Sequence, residues 1–569
     1  MAPIVRQGAV VKKLFASICV LVVAAAVAWQ NKVDLLVWAL PTVQSLLQPT
    51  APNRPIEWQV GPASAQVPAN QRPPNIILVM TDDMGFNDIS LYNGGAADGT
   101  LMTPNIDALA HQGVSFTNGY AANAVCAPSR ASMLTGRYST RFGFEFTPVF
   151  KIGPIIFNWM QQDSDGEGLP VMIDMEGADQ LPEMEDLGMP SEQITIAEVL
   201  GQRGYHNVHI GKWHLGSTGD MRPEQQGFDE SLYMAGLLYL PEDHPNVVNA
   251  KRLDQNIEKM VWASSQYKAQ FNGGEAFEPE GYLTDYYSRE AVKVIENNKN
   301  RPFFMFLSHW GIHNPLQATR EDYDALAHIE DHHLRVYAAM IRAVDRSIGM
   351  VTQALEDNGL ADNTLILFTS DNGGAQYIGL PDVNKPFRGW KLNHFEGGTH
   401  VPFMAKWPAK IPEGSELAAP VHHVDLFHTI AAAAQAPVPT DRVMDGVDLM
   451  PFVTGDAQGV PHETLFWRQG HHQSVRHRDW KLIRAENLTK DGKREEAVWL
   501  FDLAADPRER INLVDARPDM VTELQGLLAA HNAEQAEPIW PSVMDSPQLI
   551  DKDATRAYAE GDEYIYFPN

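Results

Sequence analysis

The chain has 569 residues, 44% of them hydrophobic and 20% charged, a globular composition with enough apolar material for a large core and one that excludes disorder or a fibrous architecture for the bulk. Its 72 acidic and 44 basic residues give a formal charge of −28, which opposes non-specific binding of nucleic acid and of anionic membrane surfaces by the body of the protein. An anionic substrate must therefore be attracted locally.

Arg6, Lys12 and Lys13 precede an apolar run from Leu14 to Trp29, the arrangement of a basic segment followed by the hydrophobic segment of an export signal. Ala26-Val27-Ala28 offers a cleavage site, yet apolar residues resume at Val33 to Leu40. Residues 1–48 are thus expected to be either a cleaved signal peptide or a retained membrane anchor, and the protein to be exported, periplasmic or anchored in the cell envelope. Seven prolines between Pro49 and Pro74 predict an extended linker over 49–73. Of the two cysteines, Cys19 lies in the export segment, so a cleaved chain holds Cys126 alone and has no internal disulfide.

The run Asn75 to Thr81 (NIILVMT) predicts a buried strand with Asp82-Asp83 at its C-terminal end. Helix and strand then alternate: Ile194–Arg203 into His206–Ile210, Ser288–Asn297 into Phe303–Ser308, and Leu334–Glu356 into Thr364–Thr369. That order predicts an α/β fold, a large mixed, mostly parallel sheet sandwiched by helices. The body is placed at 74–460, with an acidic, Met- and Gly-rich insertion over the active face at about 148–190. Short strand patterns and a helix from Arg517 to Ala533 predict a smaller C-terminal α+β domain over 461–536, followed by a tail over 537–569.

Cys126 sits in Val-Cys-Ala-Pro-Ser-Arg-Ala-Ser-Met-Leu-Thr-Gly-Arg (Val125 to Arg137), and Gly204-Tyr205 precedes Gly-Lys-Trp-His-Leu-Gly at Gly211 to Gly216. With Asp82-Asp83, Asp371-Asn372-Gly373 and Lys391 ahead of Glu396-Gly397-Gly398, these segments resemble the sulfatase family over roughly residues 74 to 530. The resemblance implies an alkaline-phosphatase-like fold and oxidation of Cys126 to formylglycine by a formylglycine-generating enzyme acting on the nascent or unfolded chain. It implies hydrolysis of an aryl or carbohydrate sulfate monoester through a transiently sulfated formylglycine hydrate, with inorganic sulfate as product. A serine would be left stably sulfated, whereas a geminal diol attacks sulfur with one hydroxyl and expels sulfate through the other.

The metal ligands implied are Asp82, Asp83, Cys126 in its oxidised form, Asp371 and Asn372, an oxygen set that favours Ca²⁺ over Mg²⁺. The catalytic set that the resemblance implies is Cys126 as nucleophile, Arg130 gripping the formylglycine side, Lys212 and Lys391 on sulfate oxygens, His214 as base for sulfate release, and His313 protonating the leaving oxygen with Lys391. His332-His333, His422-His423 and His471-His472 lack the spaced partners of a zinc site and are read as surface residues or as support behind the site. The excess acid predicts a small or sparsely sulfated substrate. Two alternatives stand beside this reading: a formylglycine-dependent phosphonate or phosphate ester hydrolase, and a non-catalytic membrane-tethered binding protein.

Overall fold

The computed structural model describes residues 32–68, 71–93, 95–149, 151–162, 169–488 and 493–569. The basic and apolar segment 1–31 lies outside the described residues, as do residues 163–168 of the insertion.

Nine strands build the main sheet: β1 (Asn75–Thr81), β2 (Val114–Phe116), β3 (His206–Gly211), β4 (Glu230–Met234), β5 (Ala269–Phe271), β6 (Phe303–Ser308), β7 (Thr364–Ser370), β8 (Phe403–Lys406) and β9 (Ser415–Leu417). Their order is β9-β2-β8-β7-β1-β6-β3-β4-β5. The central strands β7, β1, β6, β3 and β4 run parallel, and the antiparallel pairs lie at β7–β8, β8–β2 and β4–β5. The fold is therefore α/β with a mixed, mostly parallel sheet. β1 reads as continuous apolar sequence because both of its faces are covered. Ile77 and Val79 enter one core, while Ile76, Leu78 and Met80 enter the other.

Ten helices bear on the argument: α1 (Lys32–Leu47), α2 (Pro104–His111), α3 (Cys126–Thr135), α4 (Ile152–Gln162), α5 (Ile196–Gly201), α6 (Asn256–Ser264), α7 (Leu283–Asn298), α8 (His332–Asp357), α9 (Val424–Ala433) and α10 (Pro518–Asn532). Residues of α2, α7 and α8 fill the core on one face of the sheet, and residues of α3, α5 and α9 fill it on the other. Because the central strands are parallel, their C-terminal ends fall level. Thr81 pairs with Ser370, and Met80 and Gly211 both pair with Ser308. The residues that follow all emerge on one edge, the usual position of ligands in parallel sheets.

The segment over 49–73 is not a free spacer. Ala51 bridges to Phe277, Ile56 and Trp58 are buried in the main core, and the Trp58 indole N–H donates to Glu290 Oε2 at 2.8 Å. Proline keeps this stretch extended, but its two large apolar side chains dock it on the body. The C-terminal boundary also moves. β10 (Thr464–Gln469), β11 (His472–His477), β12 (Trp480–Leu488) and β13 (Arg494–Asp502) share a seven-stranded sheet with β14 (Met544–Leu549), β15 (Tyr564–Pro568) and the short strand Met172–Ile173. The tail and the insertion are therefore parts of the same sheet as the C-terminal domain, with α10 packed against it.

Below the edge of β1, Asp88 is fully buried and its Oδ2 accepts from the Gly85 N–H and the Tyr337 hydroxyl, both at 2.6 Å. Its Oδ1 has no partner, and burial pushes the carboxyl up to about 8. The folded value lies above the unfolded one near 4, so the stabilisation is complete below pH ~4 and is lost as pH rises toward 8. Asp88→Asn is expected to remove this drift. The stability of the wild type relative to the variant should fall by up to about 1.4 kcal/mol per pH unit across that range, followed as urea midpoints at several pH values. Parallel curves would count against a neutral Asp88.

Candidate active site

Cys126 opens α3 and is buried at the C-terminal edge of the sheet, its Sγ 3.5 Å from Asp82 Oδ1 and 3.8 Å from Asp83 Oδ1. A helix N-terminus favours an anion. Here burial and the nearby Asp371 outweigh it and push the thiol well above its ordinary range, so an unmodified Cys126 is a protonated thiol and a poor nucleophile.

Three carboxylates and three cations surround it, each carboxylate with a cationic partner. Asp82 accepts from Lys212 Nζ at 2.6 Å and lies 3.3 Å from Arg130. Asp83 accepts from Lys391 Nζ at 2.7 Å. Asp371 faces Arg130 at 2.7 Å, and the Arg130 Nε–H also donates to it at 2.8 Å. Arg130 is held further by the Lys212 carbonyl and the Ser308 hydroxyl. Burying this many charges is tolerable only with such mutual pairing. Burial together with Asp371 raises Asp82 to about 6. For Asp83, burial is outweighed by Lys391, His313 and Lys212, which hold it well below the carboxylate range.

The sulfur-free part of the donor set is hard oxygen. Asn372 donates through its amide to Asp83 Oδ1 at 2.8 Å, which leaves Asn372 Oδ1 buried and without a partner. Asp82, Asp83, Cys126 and His313 each offer a ligand atom within 4.8 Å of the others. His313 joins this group although the sequence pattern assigns it proton transfer, while the Asp371 carboxylate is shared with Arg130. The orphaned amide oxygen and the clustered carboxylates fit a hard divalent cation.

His313 Nε2 lies 3.3 Å from Lys391 Nζ and 3.6 Å from Asp83 Oδ2, and its Nδ1 meets the Asn314 carbonyl at 2.6 Å. Trp310 stacks on its ring at 4.0 Å. His309, four residues upstream, points away to Ser347. His214 lines the same cavity, and its Nδ1 is buried and unpartnered. Burial with Lys212 and Arg130 holds His214 far below its ordinary value, and burial does the same to His313 against the pull of Asp83. Asp83, His214 and Leu392 all adopt positive φ, a strained conformation that non-glycine residues hold chiefly where a site requires it. Gly211 has φ +108, and a Cβ there would fall 1.9 Å from the Ser308 carbonyl oxygen, which accounts for the glycine that opens the Lys212–His214 turn.

The paired histidines are not surface residues throughout. His422, His423 and His472 are buried, and His423 bonds the Ser129 and Thr369 hydroxyls behind α3. His400 bonds Glu396 at 2.8 Å and stacks on Phe387 behind the Lys391 loop.

Two residues at the site have no motif of their own. The Tyr377 hydroxyl is 3.2 Å from Asp83 Oδ2 and 3.3 Å from Lys391 Nζ. Gln548, on β14, donates to the Lys391 carbonyl at 2.9 Å and accepts from the Asn393 amide at 2.7 Å, so the C-terminal sheet clamps the Lys391 loop. Tyr377→Phe keeps the ring and removes a hydrogen bond to charged groups. It is expected to lower kcat/KM by about 10- to 100-fold with an unchanged circular dichroism spectrum; a change below about twofold would relegate Tyr377 to packing.

Above these groups opens a cavity of about 480 Å³, floored by Cys126, His214, His313 and Lys391. Its walls come from the insertion (Val149, Phe157), from α6 (Ile257, Val261) and from the C-terminal strands (Met544, Phe567). A larger cavity of about 960 Å³ beside α8 carries none of the converging groups.

A profile of the family described as Sulfatase matches residues 74–436, and one described as N-sulphoglucosamine sulphohydrolase, C-terminal, matches residues 390–534. The chain is 30% identical to the steryl-sulfatase of Mus musculus, covering 82% of each chain. It is 31% identical to the N-acetylgalactosamine-6-sulfatase of Canis lupus familiaris over 68% of this chain and 66% of that protein. Among solved structures, Ps i-CgsB is 29% identical with a TM-score of 0.67, covering 82% of this chain and 95% of that one, and has also been crystallised in complex with k-i-k-neocarrahexaose.

Proposed function

The chain belongs to the sulfatase family and is a sulfuric ester hydrolase, and from that premise we propose that it releases inorganic sulfate from a carbohydrate or aryl sulfate monoester through a formylglycine made from Cys126. The observation that carries this reading is the convergence of three carboxylates, three cations and two imidazoles on the buried Cys126 at the floor of one cavity. A thiol held protonated by burial is unsuited to attack on sulfur, whereas the hydrated aldehyde supplies two hydroxyls at one carbon, the first to take up the sulfuryl group and the second to release it.

The chain's own residues then divide the work. Lys212 and Lys391 neutralise the sulfate oxygens, and Arg130 fixes the oxidised side chain against Asp371 and Asp82. His313, its Nε2 3.3 Å from Lys391 Nζ, passes the proton that the Lys391 ammonium supplies to the departing alcohol oxygen, and His214 accepts the proton of the second hydroxyl. Asp82, Asp83, Asp371 and Asn372 would hold a divalent cation, Ca²⁺ ahead of Mg²⁺, whose charge would acidify the attacking hydroxyl. A carbohydrate alcohol is supported by the oligosaccharide complex of the relative at 29% identity. The basic and apolar N-terminal segment supports export to the periplasm or anchoring in the envelope.

The protein purified from its native host is expected to show, in the mass of the peptide containing residue 126, an aldehyde in place of the thiol. It is also expected to release sulfate from 4-nitrophenyl sulfate in preference to cleaving 4-nitrophenyl phenylphosphonate, and to lose that turnover on exhaustive chelation and regain it with Ca²⁺. A thiol at position 126 in active protein would overturn the nucleophile, and a preference for the phosphonate would overturn the substrate.

A further inference from the structure

α1 is apolar on nearly every side (KVDLLVWALPTVQSLL), with no charge beyond Lys32 and Asp34 in its first turn. Such a helix is stable only where it is covered. Its inner side is: Val33 is buried with Ile156 and Met160, and Leu36 and Val37 pack there with Trp159 and Met260. Its outer side is bare. Leu35 (46% exposed), Trp38 (79%) and Leu46 (77%) project on the opposite face at helical spacing, and Leu47 (76%) flanks them.

The two helices that cover α1 also wall the active-site cavity. Phe157 lies next to Ile156 on α4, and Ile257 and Val261 lie beside Met260 on α6. One layer of helix therefore separates the bare apolar face from a cavity whose upper walls are largely apolar and whose floor is charged. A pocket of that polarity suits a sulfate at one end and an apolar alcohol along the wall. In the sequence, the apolar run Leu14–Trp29 ends two residues before α1, and its basic flank is Arg6, Lys12 and Lys13. A segment of that composition partitions into lipid, and α1 is covalently continuous with it.

We propose that the outer face of α1 seats in the boundary region of a lipid bilayer, and that the adjoining cavity takes sulfate esters of apolar alcohols from that bilayer. The second half rests on the sulfatase reading above and sets an apolar alcohol in the place of the carbohydrate there. Trp38 and the leucines enter the acyl boundary, where an indole is favoured, and the net charge of −28 keeps the remaining surface from lying down on anionic lipid. The alternative cover for this face is a second copy of the chain.

The test uses the full chain reconstituted in phosphatidylcholine vesicles with or without bromine on the acyl chains, a short-range quencher of indole emission. The wild type is expected to lose more emission in brominated vesicles than Trp38→Phe does. Equal losses overturn the proposal, as does a Trp38 shielded from brominated lipid in a protein that sediments as a dimer. In the same vesicles, the double variant Leu35→Glu/Leu46→Glu is expected to turn over a sulfated long-chain alcohol at least ~10-fold more slowly than the wild type, with 4-nitrophenyl sulfate in solution hydrolysed within about twofold of wild type. Retention of both activities, or equal loss of both, overturns supply from the bilayer. A wild type inactive on both esters would instead take down the sulfatase reading, and the quenching result would stand independently of it.

Discussion

Cys126→Ala is expected to reduce turnover of any accepted sulfate ester by at least ~10⁴-fold, the scale on which removing a covalent nucleophile acts when the surrounding binding groups remain. The substitution removes one sulfur from a buried position at the start of α3, where alanine is well tolerated in a helix. Lys212, Lys391 and Arg130 are held by Asp82, Asp83 and Asp371 independently of it. The variant should therefore keep binding a sulfate ester while failing to cleave it, as calorimetric titration beside a turnover assay would reveal. Residual activity within about 100-fold of wild type would mean that another group attacks sulfur.

Arg130→Ala is expected to be the most destabilising single change at the site. The guanidinium is fully buried and serves two carboxylates, one backbone carbonyl and one hydroxyl. Its removal leaves Asp371 without its nearest cation and opens a void among charged groups. Breaking a buried ion pair on one side costs about 3–5 kcal/mol, which would appear as a lower urea midpoint together with loss of turnover. Arg130→Lys should recover part of the stability and little of the activity, because an ammonium cannot span Asp371 and Asp82 as the planar fork does. A stable Arg130→Ala protein would show that Lys212 alone balances both carboxylates.

The order of strands and helices was legible because burial leaves a dense mark. Asn75–Thr81 and Phe303–Ser308 are buried throughout because helices cover both faces of the sheet, and the Lys212 and Asp371 segments at strand ends and the Cys126 segment at a helix start are short contiguous patterns. Tyr377 and Gln548 left no such mark. A lone tyrosine in a glycine-rich loop and a lone glutamine in a strand acquire meaning only when the chain brings them to Lys391, Gln548 from more than 150 residues away. The segment over 49–73 misleads for a related reason. Proline density fixes local extension but not what the extended chain lies against, and the signal for docking was Ile56 and Trp58 among the prolines. The tail was readable as aromatic, yet its place as β14 and β15 depended on pairing with β12 and Met172–Ile173, contacts of long sequence separation.

The participation of β14 and β15 in the cavity wall sets a schedule for biosynthesis. Cys126 is enclosed in the finished protein, and the strands that close its cavity and clamp Lys391 are translated roughly 400 residues after it. At about 5–20 residues per second that is an interval of roughly 20–80 s. During it, the ribosome holds a chain whose site cannot yet be complete, and the proposed oxidation of Cys126 has that interval in which to reach an accessible thiol.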